Sequence, residues 1–242
     1  MMEKYAKQYE IKSYECDKNG VLRLRTLFNL FQDMADEHAD KMGLGYHFCI
    51  QKQIGWIGAG YHVQINRLPK WEETVMLYTW PSKATPVMGI RDFQMIDSTG
   101  QVLVNASSQW VLVDLNRMRP VAIAKYIEGY EIIEERALDT TFSAIDAITD
   151  VSETCLIPVR HDDIDINNHV NNAVYPTLCL DGISEEFLNS HTLSEVQVSF
   201  KKPAVFGDKI CLKSSQDALQ THHQLFNETG EVEFARVRLS WK

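Results

Sequence analysis

Apolar positions along this chain follow two periods, and the periods recur in the same order in each half. Tyr61-His-Val-Gln-Ile-Asn-Arg-Leu-Pro-Lys-Trp-Glu-Glu-Thr-Val75 alternates apolar and polar residues on both sides of Pro69. It reads as strand, turn, strand. Glu195-Val-Gln-Val-Ser-Phe-Lys-Lys-Pro-Ala-Val-Phe-Gly-Asp-Lys-Ile210 repeats that plan around Pro203. Further on, Asp97-Ser-Thr-Gly-Gln-Val-Leu-Val104 matches Asn227-Glu-Thr-Gly-Glu-Val-Glu-Phe234. Each places a polar, glycine-containing turn between alternating runs, which is a hairpin signal. Gly100 and Gly230 stand almost as far apart as Pro69 and Pro203, so the spacing predicts a duplicated domain.

The helical period appears once in each half. Leu27, Leu30, Phe31, Met34, Ala35 and Met42 form one apolar stripe, which predicts a helix over Leu27–Met42 with Thr26 as N-cap and Gly43 as the stop. A second helix is expected from about Ala173 to Leu188, where Pro176 is acceptable only in the first turn. Each half thus reads as a strand, a long helix, then three or four antiparallel strands. An α+β fold satisfies that order if each half is a curved antiparallel sheet wrapped around its helix. The expected boundaries are 1–125 for the first half, 126–152 for a charged, partly helical connector and 153–242 for the second half. Trp80, Trp110 and Trp241 fall near strand ends and read as core.

Composition narrows the function more than the fold. Hydrophobic residues are 45% and charged residues 24%, as in ordinary globular domains. The net charge of -9 argues against a broad nucleic-acid surface, which needs clustered Lys and Arg. Met1–Glu10 is charged and lacks the apolar core of a secretory signal, and no segment is apolar enough to span a bilayer. Cys16, Cys49, Cys155, Cys179 and Cys211 are scattered without a CxxC pair. Free thiols in a cytoplasmic protein are the expectation, with no disulfide framework or zinc ribbon.

The chemistry is concentrated in Arg160-His-Asp-Asp-Ile-Asp-Ile-Asn-Asn-His-Val-Asn-Asn-Ala-Val-Tyr175, directly before the second predicted helix. So many carboxylates, imidazoles and carboxamides cannot all be core. In an extended segment Asp165, Asn167 and His169 would project to one side. That trio could activate a water or attack a carbonyl, orient its partners and transfer a proton. Amides at the helix start would suit a developing oxyanion. The same residue types also make caps and turns, which accounts well for Asn171 or Asn172. Metal binding by Asp162, Asp163, Asp165 and His169 is a competing reading, but no HExxH or EF-hand spacing supports it, and no metal or cofactor is expected. Cys179 lies mid-helix and reads as a small buried hydrophobe, while His222-His223 reads as solvent-facing.

The order of segments resembles the acyl-acyl carrier protein thioesterases of plants and bacteria, a double-hotdog family. Tyr9-Glu-Ile-Lys-Ser-Tyr-Glu15 looks like the opening strand, and Thr26-Leu-Phe-Asn-Leu-Phe-Gln-Asp33 resembles the first hotdog helix. Arg67-Leu-Pro-Lys-Trp71, Gly89-Ile-Arg-Asp-Phe93 and Asn105-Ala-Ser-Ser-Gln-Trp-Val111 follow in family order. Asp165-Ile-Asn-Asn-His-Val-Asn-Asn172 is similar to the family's D-x-N-x-H-V-N-N signature. The resemblance implies a tandem hotdog that releases free fatty acid from its thioester carrier without a cofactor. It implies Asp165 as catalytic carboxylate, Asn167 positioning it or the thioester carbonyl, and His169 assisting proton transfer. The first hotdog would shape the acyl pocket, and the second would hold the machinery.

One departure stands out. Many plant members carry Glu-Cys after the stretch matching Phe200-Lys-Lys202, where this chain has Pro203-Ala204. That argues against a cysteine nucleophile and leaves Asp163 or a backbone group to orient a water. Direct attack by Asp165 and water activation both remain open at this point. Coenzyme A and acyl carrier protein share the phosphopantetheine arm, so an acyl-CoA thioesterase is an alternative, as is a non-catalytic acyl-binding hotdog protein. A carrier protein is acidic and is the expected partner only if basic residues cluster locally. Lys201, Lys202, Arg117 and Arg119 are the candidates. Neither nucleic acid nor membrane is an expected partner, and a homodimer is the larger assembly considered.

Overall fold

The structure, a computed structural model, describes residues 3–242; Met1 and Met2, at the start of the expected first half, lie outside the described residues. Packing divides the chain into two units. Among the described residues, one comprises 3–59 and 63–142, the other Gly60–His62 and Ser143–Lys242.

The first unit contains β1 (Tyr5–Glu10), α1 (Leu24–Lys41), α2 (Tyr46–Lys52), β2 (Ile54–Ile65), β3 (Thr74–Ala84), β4 (Met88–Asp97), β5 (Val102–Asp114), β6 (Arg119–Pro120) and α3 (Ile123–Tyr126). Its sheet runs β1-β3-β4-β5-β2, with β6 pairing β5. The pairs β1–β3, β3–β4 and β4–β5 are antiparallel. One face of α1 is apolar, and Leu27, Phe28, Phe31 and Met34 are at most 1% exposed. Phe31 stacks on Phe93 of β4 at 4.7 Å between ring centroids, fixing the helix on the sheet.

The helix begins earlier than its apolar stripe suggests. Arg23 is the N-cap, and Thr26 instead donates its hydroxyl to the Glu15 carbonyl at 3.2 Å. The stop is where glycine placed it. Gly43 has φ 72°, and Leu44 N–H reaches back to the Ala39 carbonyl at 2.8 Å, closing the helix end.

The second unit contains β7 (Glu153–Pro158), α4 (Val174–Leu178), α5 (Glu185–Ser190), β8 (Leu193–Phe200), β9 (Lys209–Asp217), β10 (Gln220–Asn227) and β11 (Glu233–Trp241). Its sheet runs β7-β9-β10-β11-β8, the same order as in the first unit. The expected duplication is therefore present in the five main strands of each unit, β6 having no counterpart, and both hairpin turns match. Gly100 N–H donates to Asp97 O at 3.0 Å, and Gly230 N–H to Asn227 O at 2.9 Å, each with the glycine at positive φ.

The second long helix is not continuous. Between α4 and α5 the chain tightens into a 3-10 turn at Cys179–Gly182 and then restarts. Ser184 caps the restart by accepting from Phe187 N–H. Gly182 is packed against β9, where a Cβ would lie 2.3 Å from Ser214 Oγ.

The connector is helical only at its first residue, Tyr126, where α3 ends; from there to β7 it has no regular element. Side chains hold it in each unit. In the first, Arg136 pairs with the fully buried Asp92 at 2.9 Å, and Trp80 Nε1 donates to Glu135 O. In the second, Ile148 N–H donates to Gln224 Oε1, and Arg236 Nη1 to Ile145 O.

His223 overturns its solvent-facing expectation. It is 1% exposed and hydrogen-bonded to Ser214 Oγ at 2.8 Å and Thr221 Oγ1 at 3.0 Å. Burial lowers its pKa to about 3, so the ring is neutral. Trp80 and Trp241 are core as expected, whereas Trp110 is half-buried.

Candidate active site

The polar segment of the second unit is a turn rather than an extended strand. A 3-10 turn at His161–Asp163 leads into an isolated bridge between Ile164 and Val170, which closes the loop between them. Inside it, Asp165 N–H donates to His169 O at 2.9 Å, and Asn168 N–H to Asp165 O at 3.0 Å. Asp165 Oδ1 accepts from Asn167 N–H at 2.8 Å. Asn168 takes φ 60°, a left-handed conformation that Asn tolerates better than most residues with a side chain.

The extended backbone on which the same-side projection of Asp165, Asn167 and His169 was expected is absent, because a left-handed residue interrupts the strand period. The structure joins the Asp165 carboxylate to the backbone, not the side chain, of Asn167. Asp165 is half-buried, while Asn167 and His169 are exposed on the same loop. Among the described residues, Asp165 Oδ2 and the His169 ring have no hydrogen-bond partner, which leaves both open to a ligand.

The loop is seated from below. Val170 N–H donates to Ala204 O at 2.8 Å, and Tyr175 Oη accepts from Ala204 N–H at 2.9 Å. Tyr175 is buried, and burial pushes its phenol up to about 12, so it stays a neutral hydroxyl. Ala204, at the place of the expected Glu-Cys departure, is fully buried and supports the loop through its backbone. Asp163 is not a free water-orienting carboxylate. It is buried, and its Oδ2 accepts from Arg160 N–H at 3.0 Å while its carbonyl accepts from Asn171 N–H at 2.8 Å.

The start of α4 offers fewer amides than expected. Ala173 N–H is taken by Asn171 Oδ1 at 2.8 Å, and Val174 N–H by Asn171 O at 2.9 Å. Asn171 thus makes the turn its residue type suggested, while the N-cap of α4 is Ala173, with no side-chain cap bond. Asn172 is different. Among the described residues neither its N–H nor its carboxamide has a hydrogen-bond partner, and it is half-buried. Cys179 is fully buried, donates to Tyr175 O, and burial holds its thiol protonated, as expected of a packing residue. No group of three His, Cys, Asp or Glu among the described residues could hold a metal ion, which removes the cluster of Asp162, Asp163, Asp165 and His169 as a donor set.

The loop has a twin that sequence reading missed. In the first unit Asp17 N–H donates to Val21 O at 2.8 Å, and Gly20 N–H to Asp17 O at 3.1 Å. Asn19 N–H donates to Asp17 Oδ1 at 2.8 Å, and Cys16 bridges Leu22. Asp17-Lys-Asn-Gly-Val21 therefore matches Asp165-Ile-Asn-Asn-His169 in three hydrogen bonds, with Val in place of His, and Val21 N–H adds a fourth to Asp17 Oδ1 at 3.0 Å. The paired Asp-x-Asn was the signal that could have revealed it.

Two matching sets of strands, each packed on helix and each with an Asp-x-Asn turn ahead of that helix, of which one displays an imidazole, define a double-hotdog protein. Sequence models described as Acyl-ACP thioesterase N-terminal domain and C-terminal domain match residues 2–130 and 147–242. The chain belongs to the acyl-ACP thioesterase family. An Arabidopsis thaliana oleoyl-acyl carrier protein thioesterase is 24% identical over 216 residues, covering 82% of this chain and 59% of the relative. The chain thus spans about three fifths of that relative's length. An acyl-ACP thioesterase from Bacteroides thetaiotaomicron superposes with TM-score 0.87 at 22% identity, over 99% of this chain and 98% of that one. The 12:0-ACP thioesterase from Umbellularia californica gives 0.88 at 21% identity, over 99% and 97%. At those identities the two structures speak for the fold. No helix among the described residues is long and apolar enough to cross a membrane.

Proposed function

We propose that this protein hydrolyses the thioester of a fatty acyl chain carried by acyl carrier protein, releasing the free acid. The observation that carries the reading is the Asp165 carboxylate, fixed through Oδ1 by Asn167 N–H at 2.8 Å in a loop that also displays His169. Family membership supplies the reaction class, and the loop supplies groups suited to it. Oδ2 of Asp165 takes a proton from a water as that oxygen bonds to the thioester carbon. Asn172, at the start of α4, donates to the carbonyl oxygen as charge develops there. Collapse breaks the C–S bond, and the proton taken up by Asp165 passes by way of the His169 imidazole to the departing pantetheine thiolate, leaving both groups as they began. Water activation is preferred to direct attack because pinning one carboxylate oxygen orients the other without requiring an anhydride.

Replacing Asp165 with Asn keeps an oxygen for the Asn167 amide but removes the base. Turnover of acyl-carrier protein should fall about 10³-fold with the melting midpoint nearly unchanged. Undiminished turnover would remove Asp165 from the mechanism. A single turnover in ¹⁸O-water should label the released acid and leave Asp165 unlabelled; label in Asp165 would establish direct attack. Mass spectrometry of free acids released during bacterial expression should identify the preferred chain.

A further inference from the structure

One edge of the first unit carries charge of the sign that the chain as a whole lacks. The turn from β5 to β6 exposes Leu115 and Met118, the latter 64% accessible, and the end of α2 exposes Ile50. The two segments are tied into one surface. Leu115 N–H donates to Gln53 O at 2.9 Å, and Asn116 Nδ2 to Gln53 Oε1 at 3.0 Å. Lys52, Arg117 and Arg119 stand on these same segments, all exposed, with no ion-pair partner among the described residues. Asp114, opposite Arg119 in the β5–β6 pairing, accepts the N–H groups of Asn116 and Arg117 through one oxygen. Three cations thus face one carboxylate in a chain of net charge -9.

We propose that this tip, Ile50–Lys52 with Leu115–Arg119, is the docking surface for the acidic carrier protein that presents the acyl arm. The proposal rests on the acyl-carrier reading above and names where the partner is held. An acidic partner is repelled by the chain's overall charge, but at physiological salt charges farther than about 8 Å apart are largely screened. Local cations then decide the encounter, and the apolar side chains among them supply buried contact once it forms. Coenzyme A, a small ligand without a protein surface, would not need the tip. The backbone is set in advance, since Met118 N–H is held by Asp114 O at 2.8 Å with Met118 at φ 50°.

The test compares wild type with the triple variant Lys52→Glu, Arg117→Glu, Arg119→Glu. Steady-state hydrolysis is measured on acyl-carrier protein and on acyl-pantetheine bearing the same chain, and binding of unacylated holo-carrier protein is titrated separately. KM for acyl-carrier protein and the Kd for holo-carrier protein should each rise at least about tenfold, while acyl-pantetheine turnover stays at the wild-type level. Wild-type KM on the carrier should also climb with added salt. The variant Arg117→Lys, Arg119→Lys should bind nearly as well as wild type. Unchanged KM and Kd in the triple variant would overturn the proposal, and so would an equal loss on both substrates. Wild type that binds carrier through this tip but hydrolyses neither thioester would overturn the reading of Asp165 and leave the docking surface standing.

Discussion

The loops ahead of α1 and α4 share a backbone and differ in what they display. Asp17 and Asp165 begin the same turn, with the carboxylate accepting the amide of the Asn two residues later in both. Gly20 takes the left-handed position in one copy and Asn168 in the other. His169 then stands where the first copy has Val21, and Asn171-Asn172 where it has Arg23-Leu24. The helices diverge in the same sense. The helix α1 runs unbroken for 18 residues on an apolar stripe, while its counterpart is divided between α4, a 3-10 turn and α5. The Asp-x-Asn turn alone is therefore scaffold, and only the copy with an imidazole and an uncommitted Asn172 holds groups suited to reaction.

The largest test of that comparison is a pair of identical changes. Asp165→Asn should lower turnover about 10³-fold, whereas Asp17→Asn should leave it within about twofold. Equal effects in steady-state assays would show that both turns act through structure alone. Next comes packing. Phe31→Ala removes a fully buried ring stacked on Phe93 and should cost about 3–5 kcal/mol in urea unfolding. Phe187 of α5 is only half-buried, and Phe187→Ala should cost clearly less.

Acid separates the units by a further margin. His223 has its pKa lowered from 6.5 to about 3, first by burial and then by His222. Its stabilising effect is complete above pH 6.5 and is lost as pH falls toward 3, because the unfolded chain takes up a proton that the native state refuses. The His223→Gln variant should show a shallower decline of stability over that window, by up to about 1.4 kcal/mol per pH unit. His38 in the first unit, held down to about 4 by burial and Arg91, keeps titrating in that variant and preserves part of the slope. The smallest effect is expected at the helix break. Ser184→Ala removes the cap of α5 and should cost about 1 kcal/mol with little change in turnover.

Short-range chemistry made the strands and their turns readable. Gly100 and Gly230 sit at positive φ between alternating runs, and Gly43 ends α1, all from local backbone requirements. The division of the second helix was harder because Gly182 is selected by Ser214, a residue distant in sequence. Ser184 before Glu185-Glu186 was a local restart signal inside the single helix expected from Ala173 to Leu188. His223 misled through its polar neighbours, although strand parity with the buried Thr221 and Leu225 already aimed it inward. At the candidate site the residue types were legible and their arrangement was not. Alternation suggested a shared face, but Asp-x-Asn-Asn is also a turn sequence, and Asn168 adopts the left-handed conformation that ends the alternation.

The Ile164–Val170 bridge makes the five enclosed residues an exchangeable cassette. Its folding demands are met chiefly by main chain and one Asp, so the outward side chains are under little obligation to the scaffold. The twin at Asp17–Val21 is a natural graft with different cargo on the same frame. New chemistry could evolve there by swapping three or four letters, without renegotiating the architecture beneath.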